Sequence, residues 1–278
     1  MSPRPERLLL ILMFLGAIPG MALAETLFFE ATYQGFFTAG QPLRIAAISL
    51  ETGSLEQAES GGLVQSVMRV TSRPYAFVEK HYPFRVRYRS IWSSRSSGVQ
   101  AMEIYEKTHR IKHEIIWVDR EAGRMQRYRP RGKHAGQHAF PVSLRRWLAA
   151  DEEFQFHKYG RHPVPKRMYD WLSMLQAVRG GRLEAGAVRQ YAATDGKHLY
   201  HYRVQVESRK LLEVDGQKHW TWKLRFDATE EGKPGPAHRP VYVWLSDDEK
   251  REPIKFESRH PLGRFTIRLS AAAASAFQ

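Results

Sequence analysis

The segment from Tyr200 to Phe226, YHYRVQVESRKLLEVDGQKHWTWKLRF, decides the fold class of this chain. It holds two alternating sets of apolar residues, which are Tyr200, Tyr202, Val204 and Val206 before the middle and Trp220, Trp222, Leu224 and Phe226 after it. Apolar residues at every second position are typical of a half-buried strand, and Asp-Gly between two such runs is a strong hairpin signal. We therefore predict two antiparallel strands that turn at Asp215-Gly216, with the second apolar set facing inward.

The same pattern recurs on both sides of this hairpin. Strand-like runs separated by short polar connections occur at Leu27–Tyr33, Leu43–Leu50, Val64–Thr71, Phe84–Trp92, Ala101–Lys107, Ile111–Val118, Met125–Tyr128, Val241–Leu245, Ile254–Phe256 and Arg264–Ser270. Strands that follow strands along a chain build antiparallel sheets. Because a flat sheet of this size would expose long edges, we expect a mainly β fold: a strongly curved antiparallel sheet or incomplete β-barrel.

One segment departs from the strand pattern and has helical spacing. Within Met168–Arg179, apolar residues recur at positions 168, 171, 172, 175 and 178, which is the period of an amphipathic helix. Asp170 is suited to cap the first turn, and Gly180-Gly181 to end the helix. We expect this one helix to pack on the concave side of the sheet. A short helix around residues 144–154 and a frayed alanine-rich tail after Ser270 complete the prediction.

The first 24 residues predict export. A positively charged start precedes the apolar run Leu8–Ala24, and Ala22-Leu23-Ala24 matches a small-residue cleavage site, as in secretory signal peptides. A membrane anchor is the alternative, but the run is near the lower length limit for a span and is broken by Pro19-Gly20. We predict cleavage after Ala24, a periplasmic location, a single β-rich domain over residues 25–278 and no transmembrane span in the mature chain.

The composition is strongly basic and lacks cysteine. The chain has 43 Lys and Arg against 29 Asp and Glu, a formal charge of +14, and removal of residues 1–24, which hold Arg4, Glu6 and Arg7, leaves +13. An exported protein rarely meets nucleic acid, so we predict no such partner and favour anionic lipids or glycans. The alternative is that the charge serves solubility alone. With 0 Cys, cysteine nucleophiles, thiolate metal sites and an N-terminal lipid-modified cysteine are excluded.

Several short motifs resemble one known family. They are Tyr33 with Gly35, Tyr169-Asp170-Trp171-Leu172-Ser173, Val243-Trp244-Leu245-Ser246-Asp247-Asp248, Pro253-Ile254-Lys255-Phe256-Glu257 and Pro261-Leu262-Gly263. On these motifs the chain resembles, best over residues 165–270, the bacterial domain-of-unknown-function family 3108 of exported proteins. The resemblance implies a curved antiparallel sheet similar to that of periplasmic lipoprotein carriers of the LolA type. It implies no established activity, and no catalytic residue is carried over from it.

Residues suited to catalysis or metal binding occur, but not in recognisable sets. Asp247-Asp248-Glu249 lies between two strand-like runs, which predicts a solvated turn rather than an acid pair or a calcium loop. Two histidine pairs have a spacing of four residues, namely His109 with His113 and His134 with His138. No carboxylate completes a ligand set beside either pair. We predict no enzymatic activity, no metal and no cofactor; a hydrolase that uses Asp247, Asp248 or a histidine is the least favoured alternative.

Two groups of residues are candidates for ligand binding. They are the arginine series Arg85, Arg87 and Arg89, and the aromatic residues Tyr200, Tyr202, Trp220, Trp222 and Trp171. Alternating arginines either offer planar donors to an anion or form a solvated outer face. The aromatic residues either line an apolar cavity or fill the core.

These features predict a periplasmic, non-enzymatic binding or carrier-like protein with an apolar concave face and a basic surface. Its ligand would be a lipid or an anionic envelope glycan. The alternative is an envelope assembly or structural factor that acts through contacts with an envelope protein. A hollow concave face favours the carrier, whereas a filled one favours protein–protein contacts.

Overall fold

The computed structural model describes residues 24–55, 62–93, 98–132, 138–148 and 153–278. Residues 1–23 of the predicted signal peptide and His134 lie outside these ranges. None of the helices within them combines the length and the hydropathy of a membrane-spanning segment. Cleavage after Ala24, the periplasmic location and the single domain stay predictions.

Strands dominate the described residues. They are β1 (Glu25–Gly35), β2 (Pro42–Ser54), β3 (Leu63–Thr71), β4 (Arg85–Ser93), β5 (Gly98–Lys107), β6 (Ile111–Asp119), β7 (Arg124–Arg129), β8 (Gln155–Tyr159), β9 (Val188–Thr194), β10 (Leu199–Val214), β11 (Gln217–Glu230), β12 (Val241–Ser246), β13 (Pro253–His260) and β14 (Gly263–Leu269). The helices are α1 (Ala76–His81), α2 (Val142–Leu148) and α3 (Trp171–Arg179), with short 3-10 helices at Phe36–Thr38 and Ala271–Phe277. Every predicted strand overlaps one of these strands, whereas β8, β9 and α1 were not predicted.

All of these strands belong to one antiparallel sheet, in the order β8-β7-β6-β5-β4-β3-β2-β1-β14-β13-β12-β11-β10-β9. The β1–β14 pair lies at the middle of the sheet, and in it Phe29 is opposite Leu269. Each half of the chain therefore runs outward as a meander, and β8 and β9 form the two edges. The sheet is not closed, so the predicted mainly β, incomplete-barrel architecture is confirmed.

The hairpin predicted from Tyr200–Phe226 is present as β10 and β11. Asp215 and Gly216 have φ angles of 49° and 73°, and two residues with positive φ are what a type I′ turn requires. Val204 stands opposite Phe226, and both are buried. The alternation of apolar residues therefore predicted both the position of the turn and the buried face of the hairpin.

The predicted helix forms as α3 and lies against the concave side of the sheet. Asp170 caps it, because its Oδ1 accepts a hydrogen bond from the backbone N–H of Ser173 at 2.7 Å. Leu172 and Leu175 belong to a core cluster that includes residues of β1, β2 and β10–β12. Burial of this apolar stripe drives the docking of the helix onto the sheet.

A second, smaller core lies on the opposite face of β4–β7, under α2. It contains Leu144, Leu148, Ile91, Ile115, Tyr128 and Phe156. The short helix expected around residues 144–154 thus forms, but it begins at Val142 and ends at Leu148. Residues 155–159, for which the sequence predicted no strand, form β8. Phe156 gives the reason, since it is buried with its ring centroid 6.0 Å from that of Tyr128.

The expectation of a frayed C-terminal tail is wrong. Residues 271–277 form a 3-10 helix that packs on β1 and β2. The ring of Phe277 lies 6.1 Å from that of Phe28, and Ala273 is buried. The small alanine side chains let this segment approach the sheet closely, and the apolar area buried there offsets the entropy lost on ordering.

Candidate functional site

The concave side of the sheet is hollow at three adjoining places, which we name the central hollow, the inner hollow and the mouth. Their volumes are about 380 Å³, 160 Å³ and 840 Å³, respectively. The central and inner hollows share Met68 and Trp171 as wall residues, and the inner hollow and the mouth share Phe265. The three spaces therefore form one series that runs from the open end of the sheet to α3.

The central hollow has an aromatic wall that includes Tyr88, Trp171, Tyr200 and Tyr202. Trp171 is the first residue of α3, and its ring centroid lies 6.0 Å from that of Tyr202 on β10. Tyr200 follows along the strand at 6.3 Å from Tyr202. Burial raises the pKa of Tyr200 and of Tyr202 to about 12. The Tyr200 hydroxyl donates a hydrogen bond to Asp195 Oδ2 at 3.3 Å, and the Tyr202 hydroxyl lies 3.3 Å from Nε2 of His238, so these two side chains offer the hollow mainly their rings.

Polar groups line another part of the central hollow, namely Glu106, Lys112, Glu114, Thr194, Asp195 and Lys197. The Lys112 ammonium lies 3.1 Å from the Glu106 carboxylate. Asp195 accepts hydrogen bonds from the backbone N–H groups of Lys197 and His198 at 2.7 and 2.8 Å. Although burial opposes its ionisation, these bonds and the His198 side chain lower the pKa of Asp195. The hollow thus combines an aromatic wall with a charged one, which suits an amphipathic molecule.

The inner hollow lies between α3 and the sheet and is almost entirely apolar. Its wall includes Phe29, Ile48, Leu50, Leu172, Leu175, Phe256 and Ile267. The ring of Phe29 meets that of Phe256 edge-on, with 5.9 Å between centroids. A space with such walls favours hydrocarbon over water.

The mouth opens where β1 turns into β2, β3 into β4 and β13 into β14. It is lined by Tyr33, Phe37, Leu43, Ile45, Phe77, Tyr82, Phe84, Leu262 and Phe265, among others. Phe37, Phe77 and Tyr82 are 74%, 60% and 68% exposed. Large aromatic side chains exposed together around an opening mark an interaction surface. Sequence reasoning missed this surface, and its one available signal was the adjacent pair Phe36-Phe37 in a turn.

The rim of the mouth is fixed by two residues that carry the family resemblance. The Tyr33 hydroxyl donates a hydrogen bond to the Leu262 carbonyl at 2.6 Å. A Cβ at Gly35 would lie 2.2 Å from that same oxygen, a distance that no side chain can occupy. Gly35 is therefore required for the β1–β2 and β13–β14 turns to meet.

The predicted arginine series does share one face of β4, but this face is opposite to that of Tyr88 and does not line the hollows. Each guanidinium is paired with a carboxylate: Arg85 with Glu79, and Arg87 and Arg89 both with Glu103. The three guanidinium groups are therefore all engaged within the protein, and they share two carboxylates. Anion binding by these arginines stays a prediction, and the hollows do not include them.

The buried carboxylate of Glu103 is the group around which Arg87 and Arg89 are arranged on this face. It is 4% exposed and lies 2.8 Å from Arg87, 3.3 Å from Arg89 and 2.9 Å from His113. Although burial opposes ionisation, the hydrogen bond with His113 and the two guanidinium charges lower the pKa of Glu103. Two of the arginines thus serve to hold a buried carboxylate in its charged form.

The other two predicted tryptophans lie outside the hollows. Pairing of β12 with β11 ends at Thr221, so Trp220 projects beyond the sheet and is 52% exposed. The Arg209 guanidinium lies over its ring, 4.5 Å from the centroid. Trp222 packs against the core, and its indole N–H donates a hydrogen bond to Asp247. Of the predicted aromatic residues, the structure brings together Trp171, Tyr200 and Tyr202.

The acidic run lies in the turn between β12 and β13, as the alternation predicted. The turn has the predicted solvated tip, since Asp248 and Glu249 are exposed. Asp247 is half-buried and accepts hydrogen bonds from Trp222 and Arg209, which fasten the turn to β10 and β11, and Asp248 accepts one from Ser246 at 2.7 Å. Within the described ranges, no three His, Asp or Glu side chains are grouped so as to hold a metal ion.

Comparison with known families agrees with this architecture. Residues 151–270 match the family described as protein of unknown function (DUF3108). The predicted resemblance, best over residues 165–270, is confirmed. The DUF3108 match includes β8 to β14 and α3, and with them the aromatic wall of the central hollow.

One solved structure shares the overall fold. A β-barrel-like protein of domain of unknown function DUF1849 from Brucella abortus aligns with a TM-score of 0.52 at 9% identity, covering 89% of this chain and 96% of that chain. Similarity at this level supports the fold alone. A Bacteroides fragilis protein, described as exported and YmcC-like in fold, has a TM-score of 0.29 at 8% identity, covering 88% of this chain and 92% of that chain. No curated protein sequence matches the chain.

Proposed function

We propose that this protein is an exported, non-enzymatic carrier that holds the apolar chain of an amphipathic lipid on the concave side of its sheet. The observation that carries the proposal is the series of adjoining hollows between the mouth and α3. Protein interiors are close-packed and contain few voids larger than a water molecule. The central hollow, at about 380 Å³, has instead the size of a small-molecule site.

The apolar walls supply the binding energy. Residues such as Phe29, Leu172 and Leu175 line the inner hollow, and each methylene group transferred there from water contributes about 0.8 kcal/mol. A chain segment of about eight methylene groups therefore gains about 6 kcal/mol before the cost of immobilisation is subtracted. This gain supports reversible binding, as a carrier requires.

The polar wall of the central hollow would meet the headgroup. Lys112 and Lys197 present positive charge there, beside the aromatic rings of Tyr200 and Tyr202. We favour a lipid over an anionic glycan because a glycan carries hydroxyl groups along its length and would leave the inner hollow unfilled. The signal-peptide pattern of residues 1–24 supports action in the periplasm.

Uptake of a fluorescent fatty acid tests the proposal. Protein comprising residues 25–278 is titrated with cis-parinaric acid, and palmitate is added as a competitor. We expect saturable binding with one fatty acid per chain, and native mass spectrometry of the protein as purified from the periplasm should detect a bound lipid. Protein that is ligand-free and takes up no fatty acid would remove the carrier function.

A pair of matched variants localises the binding. Met68 is half-buried and lines both the central and inner hollows, so Met68→Trp fills them. Ile111 is 66% exposed outside the hollows, so Ile111→Trp adds the same indole without filling them. We expect uptake to fall about tenfold in the first variant alone. Equal uptake by the two variants would place the ligand elsewhere.

The second candidate function is an envelope assembly factor, and one observation favours it. Leu211 and Trp220 are opposite each other at the projecting end of the β10–β11 hairpin and are 49% and 52% exposed. Such a pair outside the hollows suits contact with another protein. A photocrosslinking residue at Leu211 that captures one envelope protein, with capture lost in Trp220→Ala, would support this function. Crosslinks spread over many proteins would count against it.

A further inference from the structure

A basic cleft lies at the seam where the two edges of the open sheet approach each other. It has a volume of about 190 Å³, and its wall includes Arg127, Lys158, Arg161, Lys197 and His198. The first three belong to β7, β8 and the segment after β8, whereas Lys197 and His198 lie in the β9–β10 turn. Cations from the two ends of one sheet therefore line a common space, which we name the seam cleft.

Two glycines bring the sides of the seam cleft into contact. Gly196 has φ of +84°, and a Cβ there would lie 2.7 Å from Cγ1 of Ile116, so the β9–β10 turn rests directly on β6. Gly160 donates its backbone N–H to the Met125 carbonyl at 2.6 Å, and a Cβ there would lie 2.9 Å from Met125 Cε. The seam cleft is thus bounded by closely packed backbone.

The cationic side chains of the seam cleft outnumber the carboxylates that pair with them. The Glu114 carboxylate is paired with both Arg127 and Arg129. Repulsion from Arg127, together with burial and the charges of Arg129 and Arg161, lowers the pKa of Lys158. Within the part of the chain that the structure describes, no ion pair to an acid is formed by Lys158, Arg161 or Lys197.

A buried donor in the wall adds to this imbalance. Arg127 is 2% exposed, and its Nη2 donates to Glu114 at 2.5 Å. Its Nε has no hydrogen-bond partner among the described residues. One donor of this buried guanidinium is thus left without an acceptor, which is costly, and its charge adds to the positive potential behind the wall.

We propose that the seam cleft binds a phosphate-class anion, held by Lys158, Arg161 and Lys197 across the two edges of the sheet. A phosphate accepts hydrogen bonds on several oxygens at once, so it can neutralise cations from both sides and fasten the β9–β10 turn to the end of β8. Lys197 also lines the central hollow, which places an anionic headgroup next to the space for an apolar chain. The anion site does not itself depend on the proposed lipid function.

Calorimetric titration with two probes tests the site and identifies the source of the phosphate. Protein comprising residues 25–278 is titrated with inorganic pyrophosphate and, separately, with phosphatidylcholine vesicles that contain phosphatidic acid. Vesicles of phosphatidylcholine alone serve as the blank. We expect saturable, salt-sensitive binding, and about tenfold weaker binding by the double variant Lys158→Gln/Lys197→Gln.

The matched control is Lys210→Gln/Lys218→Gln, which removes the same two charges from exposed positions on the β10–β11 hairpin and should retain full binding. Binding of pyrophosphate assigns a soluble phosphate-class anion, and binding of phosphatidic acid alone assigns a lipid headgroup; both support the site. Binding of neither probe, or equal loss in the two double variants, overturns it. Because pyrophosphate has no apolar chain, its result is independent of fatty-acid uptake.

Discussion

The indole ring of Trp171 lies against the phenol ring of Tyr202, with 6.0 Å between their centroids, and this contact joins α3 to β10. Trp171 also meets Phe226 of β11 at 5.5 Å. Because Trp171 lines both the central and inner hollows, the same side chain helps to seat the helix and to shape the space beside it.

Replacing Trp171 with alanine should therefore affect stability strongly. The change removes the ring contacts with Tyr202 and Phe226, and we expect the free energy of unfolding to fall by about 3 kcal/mol. Urea denaturation followed by far-UV circular dichroism measures it. Trp220→Ala is the matched control, since Trp220 is 52% exposed and should lose at most about 1 kcal/mol. Similar losses in the two variants would contradict the structural role of Trp171.

Glu114 should make stability depend on pH. It is 1% exposed and paired with Arg127 and Arg129. Although burial opposes ionisation, the hydrogen bond from Arg129 and the charge of Arg127 lower its pKa below the ordinary 4.5. A pKa lowered by folding stabilises the protein above the unfolded value, and that stabilisation is lost as the pH falls through the folded value.

The variant Glu114→Gln tests this linkage. We expect it to be less stable than wild type by about 3 kcal/mol at neutral pH, because two arginines lose their charged partner. Its stability should also fall less than that of wild type as the pH drops below 4.5, which urea denaturation at a series of pH values measures. Glu184→Gln is the control, since the Glu184 side chain is 57% exposed. Parallel pH profiles for wild type and Glu114→Gln would refute the linkage.

The aromatic rim of the mouth should control access to the hollows. Phe37 and Phe77 are exposed, so Phe37→Glu/Phe77→Glu should leave the fold intact while it places two charges at the opening. We expect uptake of cis-parinaric acid to fall about tenfold. The control is Val142→Glu/Ile111→Glu, at positions that are 75% and 66% exposed and outside the mouth. Unchanged uptake by the rim variant would mean that ligand enters by another route.

Gly35 should tolerate no side chain. A Cβ there would lie 2.2 Å from the Leu262 carbonyl oxygen, so Gly35→Ala must separate the β1–β2 and β13–β14 turns. We expect a loss of about 3 kcal/mol in the free energy of unfolding. At Gly53 the nearest atoms to a Cβ are 3.7 Å away, so Gly53→Ala should be nearly neutral. Thermal and urea denaturation measure the stabilities of the two variants. Equal stabilities would show that the β1–β2 and β13–β14 turns can separate without loss of free energy of unfolding.

Prediction from sequence succeeded where the signal is local. Alternation between Tyr200 and Phe226 indicated both strands of the hairpin, and the spacing within Met168–Arg179 indicated α3. It failed where a short element depends on distant partners. β8 is the clearest case, since Phe156 becomes buried only against Tyr128 and α2.

The part of the candidate site that was predicted also depends on local sequence patterns. Trp171, Tyr200 and Tyr202 do meet at one hollow, because alternation and helical spacing each directed them to the concave side. Trp220 shares that alternation but is 52% exposed, since it lies one residue beyond Thr221, where the pairing of β11 with β12 ends. Nothing in the local pattern reveals how far a neighbouring strand extends.

By itself, the sequence determined the strands other than β8 and β9, the turn at Asp215-Gly216 and the cap of α3 at Asp170, because backbone conformation and periodicity act over a few residues. Tertiary structure decided which residues 16 to more than 200 positions apart become neighbours: Glu103 beside Arg87, Leu262 beside Tyr33, and Lys197 across a cleft from Lys158. The first contact follows from the pairing of β4 with β5 and the second from the pairing of β1 with β14. The third follows from the curvature of the sheet, which brings its two edges together. Only these relations between residues distant in sequence pair the arginine series with carboxylates, open the mouth and concentrate positive charge at the seam.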